Sequence, residues 1–161
     1  MVLLGVAALL ALSQWIIDDN SLRPIPVATV LKNPGNYENR VVTLTGSVLS
    51  TMEVVSLEGQ GCRSSAKRLD GSPWACAVLV RLPSCSGTEP GCSKGTLEVG
   101  RAYREMRDAR SPKPTRVSMT GWLRLAPMVD APDGRKVQLG LGHMGAFRAE
   151  LIVVDAKIIP K

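Results

Sequence analysis

Two seven-residue segments of this chain share one pattern of apolar residues, hydroxyl residues and an interior glycine. Residues 42–48 read Val-Thr-Leu-Thr-Gly-Ser-Val, and residues 117–123 read Val-Ser-Met-Thr-Gly-Trp-Leu. Successive side chains of a β-strand point to opposite faces, so the alternation predicts two half-buried strands. A glycine inside a strand marks a bulge or a sharp bend, as a strand in a small barrel requires. The repeat therefore predicts a curved, mainly β domain.

Further strand signals surround the repeat. Residues 52–57 and 74–82 are rich in β-branched and aliphatic residues and predict the second and third strands. The last strand is predicted over residues 147–159, with Ile152, Val154, Ala156 and Ile158 on one face. A turn at residues 131–134 leads into residues 137–141, which are either an extra hairpin arm or a bent part of the barrel. The sequence leaves both alternatives open.

One amphipathic helix is predicted between the third and fourth strands. Apolar residues recur there at three- and four-residue spacing, namely Leu97, Val99, Ala102, Tyr103 and Met106. A shorter helix is predicted near residue 27, where Val27, Val30 and Leu31 have helical spacing ahead of an Asn-Pro turn.

The order of these elements resembles bacterial extracytoplasmic OB-fold proteins. In that family a short helix and an Asn-Pro turn lead to a strand of the form Val-x-Leu-x-Gly-x-Val, which residues 42–48 match. The resemblance implies an OB-fold-like five-stranded Greek-key barrel with a connecting helix. The predicted fold class is therefore mainly β, with a hydrophobic helix added at the N-terminus.

The plan is also similar to that of the heme chaperones of cytochrome c maturation, in which an N-terminal anchor precedes an extracytoplasmic OB-fold. Residues 145–149, Gly-Ala-Phe-Arg-Ala, match the Gly-x-Phe-x-Ala pattern of their last strand. Those chaperones then carry a heme-attaching histidine and a tyrosine, but residues 153–160 read Val-Val-Asp-Ala-Lys-Ile-Ile-Pro. The likeness therefore concerns architecture alone, and no cofactor is expected.

The N-terminal segment, residues 1–17, is apolar and uncharged up to Asp18. Sixteen helical residues span roughly 24 Å, against a hydrocarbon core of about 30 Å. The segment is either an uncleaved membrane anchor or a signal segment cleaved after Ser13, and we favour the anchor. Because Asp18 and Asp19 follow it and no basic cluster does, the rest of the chain is expected on the extracytoplasmic side, in a periplasm or its equivalent.

The remaining chain divides into a linker and one domain. Residues 18–26 are the linker, and residues 27–161 form the predicted OB-fold-like domain. Polar insertions interrupt this domain at residues 58–73 and 83–95. The domain is long enough to bury a core of its own.

Four cysteines fall in or beside the two insertions. Their spacing lacks the close ligand pairs of structural zinc sites, so no metal site is expected. Two disulfides in an oxidising compartment explain them better. Of the three possible connectivities we predict Cys62 with Cys76 and Cys85 with Cys92, since each pair closes a polar, glycine-containing loop.

Basic residues recur at every third position after residue 100, and the net charge of the chain is +6. The run predicts a broad basic helix face, either an ordinary solvated surface or a contact for polyanions or anionic lipid. Its members are Arg101, Arg104, Arg107, Arg110, Lys113 and Arg116. Two tryptophans, Trp74 and Trp122, are the candidates for ligand or partner contact.

No catalytic pattern accompanies the predicted fold. The chain has one histidine, His143, and neither a paired-carboxylate motif nor a phosphate-binding glycine loop. The sequence therefore predicts a membrane-anchored, non-catalytic binding or assembly module, an accessory subunit of a membrane complex that contacts a protein partner. The alternative is a protein that binds polyanions, including single-stranded nucleic acid, although few rings are available for stacking bases and an extracytoplasmic location makes nucleic acid unlikely.

Overall fold

The computed structural model describes residues 23–50, 54–62, 66–84, 92–108 and 114–160. In chain order the elements are β1 (Ile25–Pro26), α1 (Val27–Lys32), β2 (Arg40–Ser50), β3 (Val55–Glu58), β4 (Ala77–Arg81), α2 (Lys94–Asp108), β5 (Thr115–Leu125), β6 (Met128–Asp130), β7 (Lys136–Gln138) and β8 (Ala149–Ile158). The predicted anchor, residues 1–17, lies outside the described residues. None of the helices within the described ranges has both the length and the apolar character that crossing a bilayer requires.

Five of the described strands close a barrel. Each strand is hydrogen-bonded to the next in the order β2, β3, β4, β8, β5, and β5 pairs back with β2. The contact between β4 and β8 is parallel, and the other four are antiparallel. The prediction of a mainly β fold built on a five-stranded barrel is therefore confirmed.

The two repeated segments are direct neighbours in this barrel. β2 and β5 pair antiparallel, with Val42 opposite Gly121 and Gly46 opposite Val117. A Cβ atom on Gly46 would lie 2.4 Å from the carbonyl oxygen of Glu58, and one on Gly121 would lie 2.3 Å from that of Ile152. Both glycines therefore allow a neighbouring strand to approach the backbone closely where the sheet bends.

The core fills the inside of the barrel. The prediction that Ile152, Val154, Ala156 and Ile158 share one face of the last strand is wrong. Ala149, Leu151, Val153 and Ala156 are the buried apolar residues of this strand, whereas Val154 is 56% exposed. Thr120 pairs with Asp155, but the adjacent Gly121 pairs with Val153, so the register skips Val154. This bulge reverses the alternation along β8, which a strict period of two could not anticipate.

The two helices pack at different places on the barrel. α1 buries Val27 and Val30, as predicted, and lies where β3 ends, since a Cβ atom on Gly59 would be 2.8 Å from the backbone nitrogen of Ala28. α2 packs mainly against β8. It begins earlier than its apolar spacing indicates because Ser93 caps it, with the amide of Thr96 donating to Ser93 Oγ over 3.0 Å.

Of the two alternatives for residues 137–141, an extra hairpin arm or a bent part of the barrel, the structure shows the extra hairpin. β6 and β7 pair only with each other and form a separate two-stranded sheet beside the barrel. Lys136 Nζ contacts Asp130 Oδ1 at 2.9 Å across this hairpin. The sequence predicts one fourth strand over about residues 116–128, but the structure divides this stretch between β5 and the start of β6.

Candidate functional site

A cleft of about 540 Å³ opens between α1 and the loop that precedes β4; we call it the α1 cleft. Its walls combine small and apolar side chains with two bases and one amide. The lining residues are Ala28, Leu31, Lys32, Gln60, Gly61, Cys62, Ala66, Trp74, Ala75 and Arg148. A concave, mostly apolar site with a few polar groups is the usual form of a ligand or partner pocket.

A disulfide holds one wall of the α1 cleft in place. Cys62 and Cys76 are bonded, with their Cα atoms 5.6 Å apart, as the sequence predicted. The amide of Gly59 also donates to the carbonyl of Cys76 over 3.1 Å, so β3 and the start of β4 are tied together beside the cleft. The cross-link stabilises this wall relative to the unfolded chain, because it restricts the conformations that the open loop could adopt there.

Only one cysteine of the second predicted disulfide lies within the described residues. Cys92 takes part in a disulfide. Its predicted partner, Cys85, lies outside the described residues, so the pairing of Cys85 with Cys92 stays a prediction.

The polar groups of the α1 cleft are suited to binding an anion. Lys32 is exposed at the end of α1, and the half-buried Arg148 lies across the cleft just before β8. Arg148 is oriented by Gln138, whose Oε1 accepts from its Nε over 2.9 Å, while Gln138 Nε2 donates to the carbonyl of Ala126. One guanidinium held by Gln138 and one exposed ammonium, both beside apolar side chains, suit a carboxylate attached to an apolar group.

A second groove, of about 410 Å³, adjoins the α1 cleft and shares Trp74 with it. Leu69 and Leu139 stand on its two sides. Next to them is Met144, whose carbonyl oxygen accepts a hydrogen bond from Arg68. We call Leu69, Leu139 and Met144 the apolar rim, because their exposed fractions are 70%, 45% and 76%.

The loop that carries Leu69 is a small hairpin with a fixed tip. Lys67 forms a bridge with Pro73, and the amide of Gly71 donates to the carbonyl of Arg68. At the tip, the hydroxyl and the amide of Ser72 donate to Asp70 Oδ1 over 2.5 and 3.0 Å. These hydrogen bonds lower the pKa of Asp70, and the nearby Arg68 guanidinium lowers it further.

The two candidate tryptophans have different surroundings. Trp74 is 6% exposed and forms the shared wall of the α1 cleft and the adjoining groove. Trp122 lies on β5, opposite Val41 of β2 and Ile152 of β8, and its neighbour Leu123 is buried in the core. Trp122 is therefore on the outer face of the barrel, away from both clefts, where it is half-buried.

Three members of the predicted basic run, Arg101, Arg104 and Arg116, have side chains within the described residues. Arg101 and Arg104 are exposed on α2, but so are Glu98 and Glu105. Arg116 is exposed on β5, outside the helix. Arg110 and Lys113 lie outside the described residues, as does the side chain of Arg107.

An ion cluster that the sequence did not indicate spans three strands on the outside of the barrel. Glu150 on β8 is 1% exposed, and it accepts hydrogen bonds from Arg81 on β4 and Arg124 on β5. No local pattern could have identified it, because the three residues meet only after the barrel closes. Lys32 and Arg148 were missed for the same reason.

The described ranges contain no group of three or more His, Cys, Asp or Glu side chains placed to hold a metal ion. Compared with known protein families and with curated proteins, the chain matches no family model and no individual protein.

Proposed function

We propose that this protein is a membrane-anchored, extracytoplasmic OB-fold module that binds a protein partner and serves as a non-catalytic accessory subunit of a membrane complex. The observation that carries the proposal is the α1 cleft, a site bounded by a disulfide that combines apolar side chains with the positive charges of Lys32 and Arg148.

The OB-fold assignment is supported by the connectivity of the barrel. Numbered along the chain, the barrel strands β2, β3, β4, β5 and β8 are its first to fifth strands. Their spatial order is then first, second, third, fifth, fourth, with the fourth pairing back to the first. A helix, α2, connects the third and fourth strands, which is the position that the resemblance to OB-fold proteins implies for it.

The extracytoplasmic location is supported by two independent features. The Cys62–Cys76 disulfide is typical of oxidising compartments. The uncharged apolar segment at residues 2–17, followed by Asp18 and Asp19, fits a tether whose chain continues outside the cytoplasm.

The nature of the ligand follows from the groups that line the α1 cleft. Leu31 and Trp74 offer an apolar surface, while Lys32 and Arg148 offer positive charge. A protein segment with an aliphatic side chain next to a carboxylate would satisfy both, burying apolar area and pairing its charge. The cleft groups act by holding and orienting such a segment.

Binding of polyanions is the weaker candidate. OB-folds usually bind oligonucleotides on the face of their second and third strands, here β3 and β4. The outward side chains in that region include Glu58, Leu79 and Arg81, a mixed set with no ring for base stacking. The exposed arginines of α2 are likewise interleaved with acids.

The test is to isolate the full chain from membranes in mild detergent and identify the proteins that co-purify. Lys32→Glu and Arg148→Gln are expected to lose the partner, because both weaken the positive edge of the cleft. Lys157→Glu is the matched control, since Lys157 is an exposed base on β8. It should retain the partner.

Two outcomes would count against the proposal. A partner that is retained equally by all three variants contacts some other surface, and the α1 cleft would lose its role. If no protein co-purifies with the wild-type chain and single-stranded nucleic acid does, the alternative function replaces this one. Thermal unfolding of each variant checks that a loss of partner does not result from a loss of fold.

A further inference from the structure

The apolar rim is the feature of the molecule that the proposed function leaves unexplained. Leu69 and Met144 are the two most exposed of the large apolar side chains in the described ranges, and Leu139 is close to both across a groove. Leu69 comes from the loop before β4, whereas Leu139 and Met144 come from the connection between β7 and β8, so the proximity of Leu69 to this connection is a property of the tertiary structure. A group of exposed aliphatic side chains marks a contact surface.

Hydrogen bonds and a disulfide fix the backbone of the loops that carry the apolar rim. Leu69 is at the tip of a hairpin whose base is closed by the Cys62–Cys76 disulfide. Arg68 ties that hairpin to the loop of Met144 by donating to its carbonyl oxygen. Leu139 is held by its own amide, which donates to the carbonyl of Pro127 over 2.9 Å.

The chain reaches the barrel at the same end as the rim. The described chain starts at Arg23, and α1 begins four residues later, at Val27. α1 lines the cleft that shares Trp74 with the groove of the rim. The six peptide steps from residue 17 to residue 23 reach at most about 20 Å, so an anchored segment keeps this end close to the bilayer.

The charges around the rim fit an anionic surface. Exposed or half-buried bases near it are Lys32, Lys67, Arg68, Lys136 and Arg148. Two acids of the same region, Asp70 and Asp130, pair with Arg68 and Lys136, so the positive charge that these pairs leave comes from Lys32, Lys67 and Arg148. Bases beside a bilayer surface gain free energy from anionic headgroups.

We propose that the apolar rim lies against the membrane, with Leu69, Leu139 and Met144 inserted into the boundary between headgroups and acyl chains of anionic lipid. This inference depends on the anchoring in the proposed function. A lipid surface suits the rim better than a protein partner does, because the three exposed side chains are aliphatic, whereas the aromatic ring of the groove, Trp74, is only 6% exposed and Arg68 is engaged by the carbonyl of Met144, so neither is presented as the anchor that dominates protein interfaces. Shallow insertion of such side chains, supported by nearby bases, is the usual mode of interfacial membrane contact.

If the apolar rim lies against the membrane, the class of protein that can bind in the α1 cleft is also restricted. The α1 cleft opens beside the rim, so a segment that enters it comes from directly above the bilayer. The partner is then an integral membrane protein that offers the apolar and acidic residues next to its own membrane span.

The experiment places the photoreactive amino acid p-benzoylphenylalanine at position 69, 144 or 154 of the full chain in its native membrane. Position 154 is the matched control, because Val154 is similarly exposed but lies on β8, on the wall of the barrel. After irradiation, phospholipid adducts are identified by mass. We expect phospholipid adducts at positions 69 and 144 and none at position 154.

Each other outcome overturns the inference. Protein adducts at 69 and 144 would make the rim a protein interface, and the absence of adducts would leave it in solvent. Extraction of the membranes with carbonate separates this failure from that of the proposed function. A chain that stays in the membrane but gives no lipid adduct overturns the orientation alone, whereas a chain released by carbonate overturns the anchoring and the orientation together.

Discussion

Arg81 on β4 donates two hydrogen bonds to a single carboxylate oxygen of Glu150 on β8, from Nε at 3.0 Å and from Nη2 at 2.9 Å. The other oxygen of Glu150 accepts from Nε of Arg124 on β5 at 2.5 Å. The carboxylate is almost fully buried, while both guanidinium groups remain partly exposed. The cluster links three neighbouring strands across the outside of the barrel.

Replacing this carboxylate is expected to weaken the barrel. Glu150→Gln keeps the size of the side chain but removes its charge and turns an amide NH₂ toward an arginine. Since hydrogen bonds to charged groups contribute about 1.5–3 kcal/mol each, we expect the free energy of unfolding to fall by about 2 kcal/mol. Urea denaturation measures it. Glu98→Gln, in an exposed pair on α2, is the control and should change stability by less than about 0.5 kcal/mol.

The close approach at the barrel bend gives a second prediction. In Gly121→Ala the new Cβ atom would be 2.3 Å from the carbonyl oxygen of Ile152, so the strands must move apart. We expect a loss of about 2 kcal/mol in the free energy of unfolding, typical of overpacking. Gly35→Ala is the control, since nothing lies within 4 Å of its added Cβ. Equal stability of the two variants would contradict the close packing of β5 against β8.

The disulfides predict the thiol chemistry of the intact protein. Alkylation followed by mass spectrometry should modify no cysteine until the protein is reduced. Removing the Cys62–Cys76 bond in a Cys62→Ser, Cys76→Ser variant should lower the free energy of unfolding by about 3 kcal/mol, because the unfolded chain regains the freedom of a closed loop. Four thiols that react under native, oxidising conditions would refute both disulfides and remove one support for the extracytoplasmic location.

The turn at Asp70 gives a prediction for pH. Hydrogen bonds from Ser72 lower the pKa of Asp70 in the folded protein, so Ser72→Ala should raise that pKa toward the ordinary aspartate value. A lowered folded pKa stabilises the protein at pH values above the unfolded pKa, and this contribution is lost as pH falls through the folded pKa. The ¹³C shift of the Asp70 carboxyl carbon, followed against pH in both proteins, measures the change. Identical titration curves would mean that the Ser72 hydroxyl does not hold the carboxylate in solution.

The last prediction concerns polyanions. We expect weak, sequence-independent binding of single-stranded DNA at low salt that disappears near physiological ionic strength, because Arg101 and Arg104 are mixed with acids on α2. Arg101→Ala with Arg104→Ala should reduce the slope of log affinity against log salt by about 0.7 for each phosphate that the variant no longer neutralises. Fluorescence anisotropy at several salt concentrations measures both. Tight binding at physiological salt that Trp122→Ala abolishes would instead support the nucleic-acid function.

Local sequence patterns determined the elements of the barrel and one of its cross-links. The alternation in residues 42–48 and 117–123, with glycines 46 and 121 inside it, predicted two bent strands, and these became β2 and β5. The spacing of Val27 and Val30 predicted α1, and the polar, glycine-containing loop between Cys62 and Cys76 predicted their disulfide. Each of these signals depends on residues that are close together in the chain, where strand and helix periodicity and loop closure act.

Only the tertiary structure decided which strands, loops and side chains are neighbours in space. The bulge at Val154 arises from the register of β8 against β5, so the inward face of β8 could not be read from its own residues. The Glu150 cluster, the α1 cleft and the apolar rim likewise join residues that are far apart in sequence, such as Arg81 with Glu150 and Leu69 with Leu139. Such contacts form because barrel closure fixes the distance between distant strands and loops, and no periodicity along the chain encodes that distance.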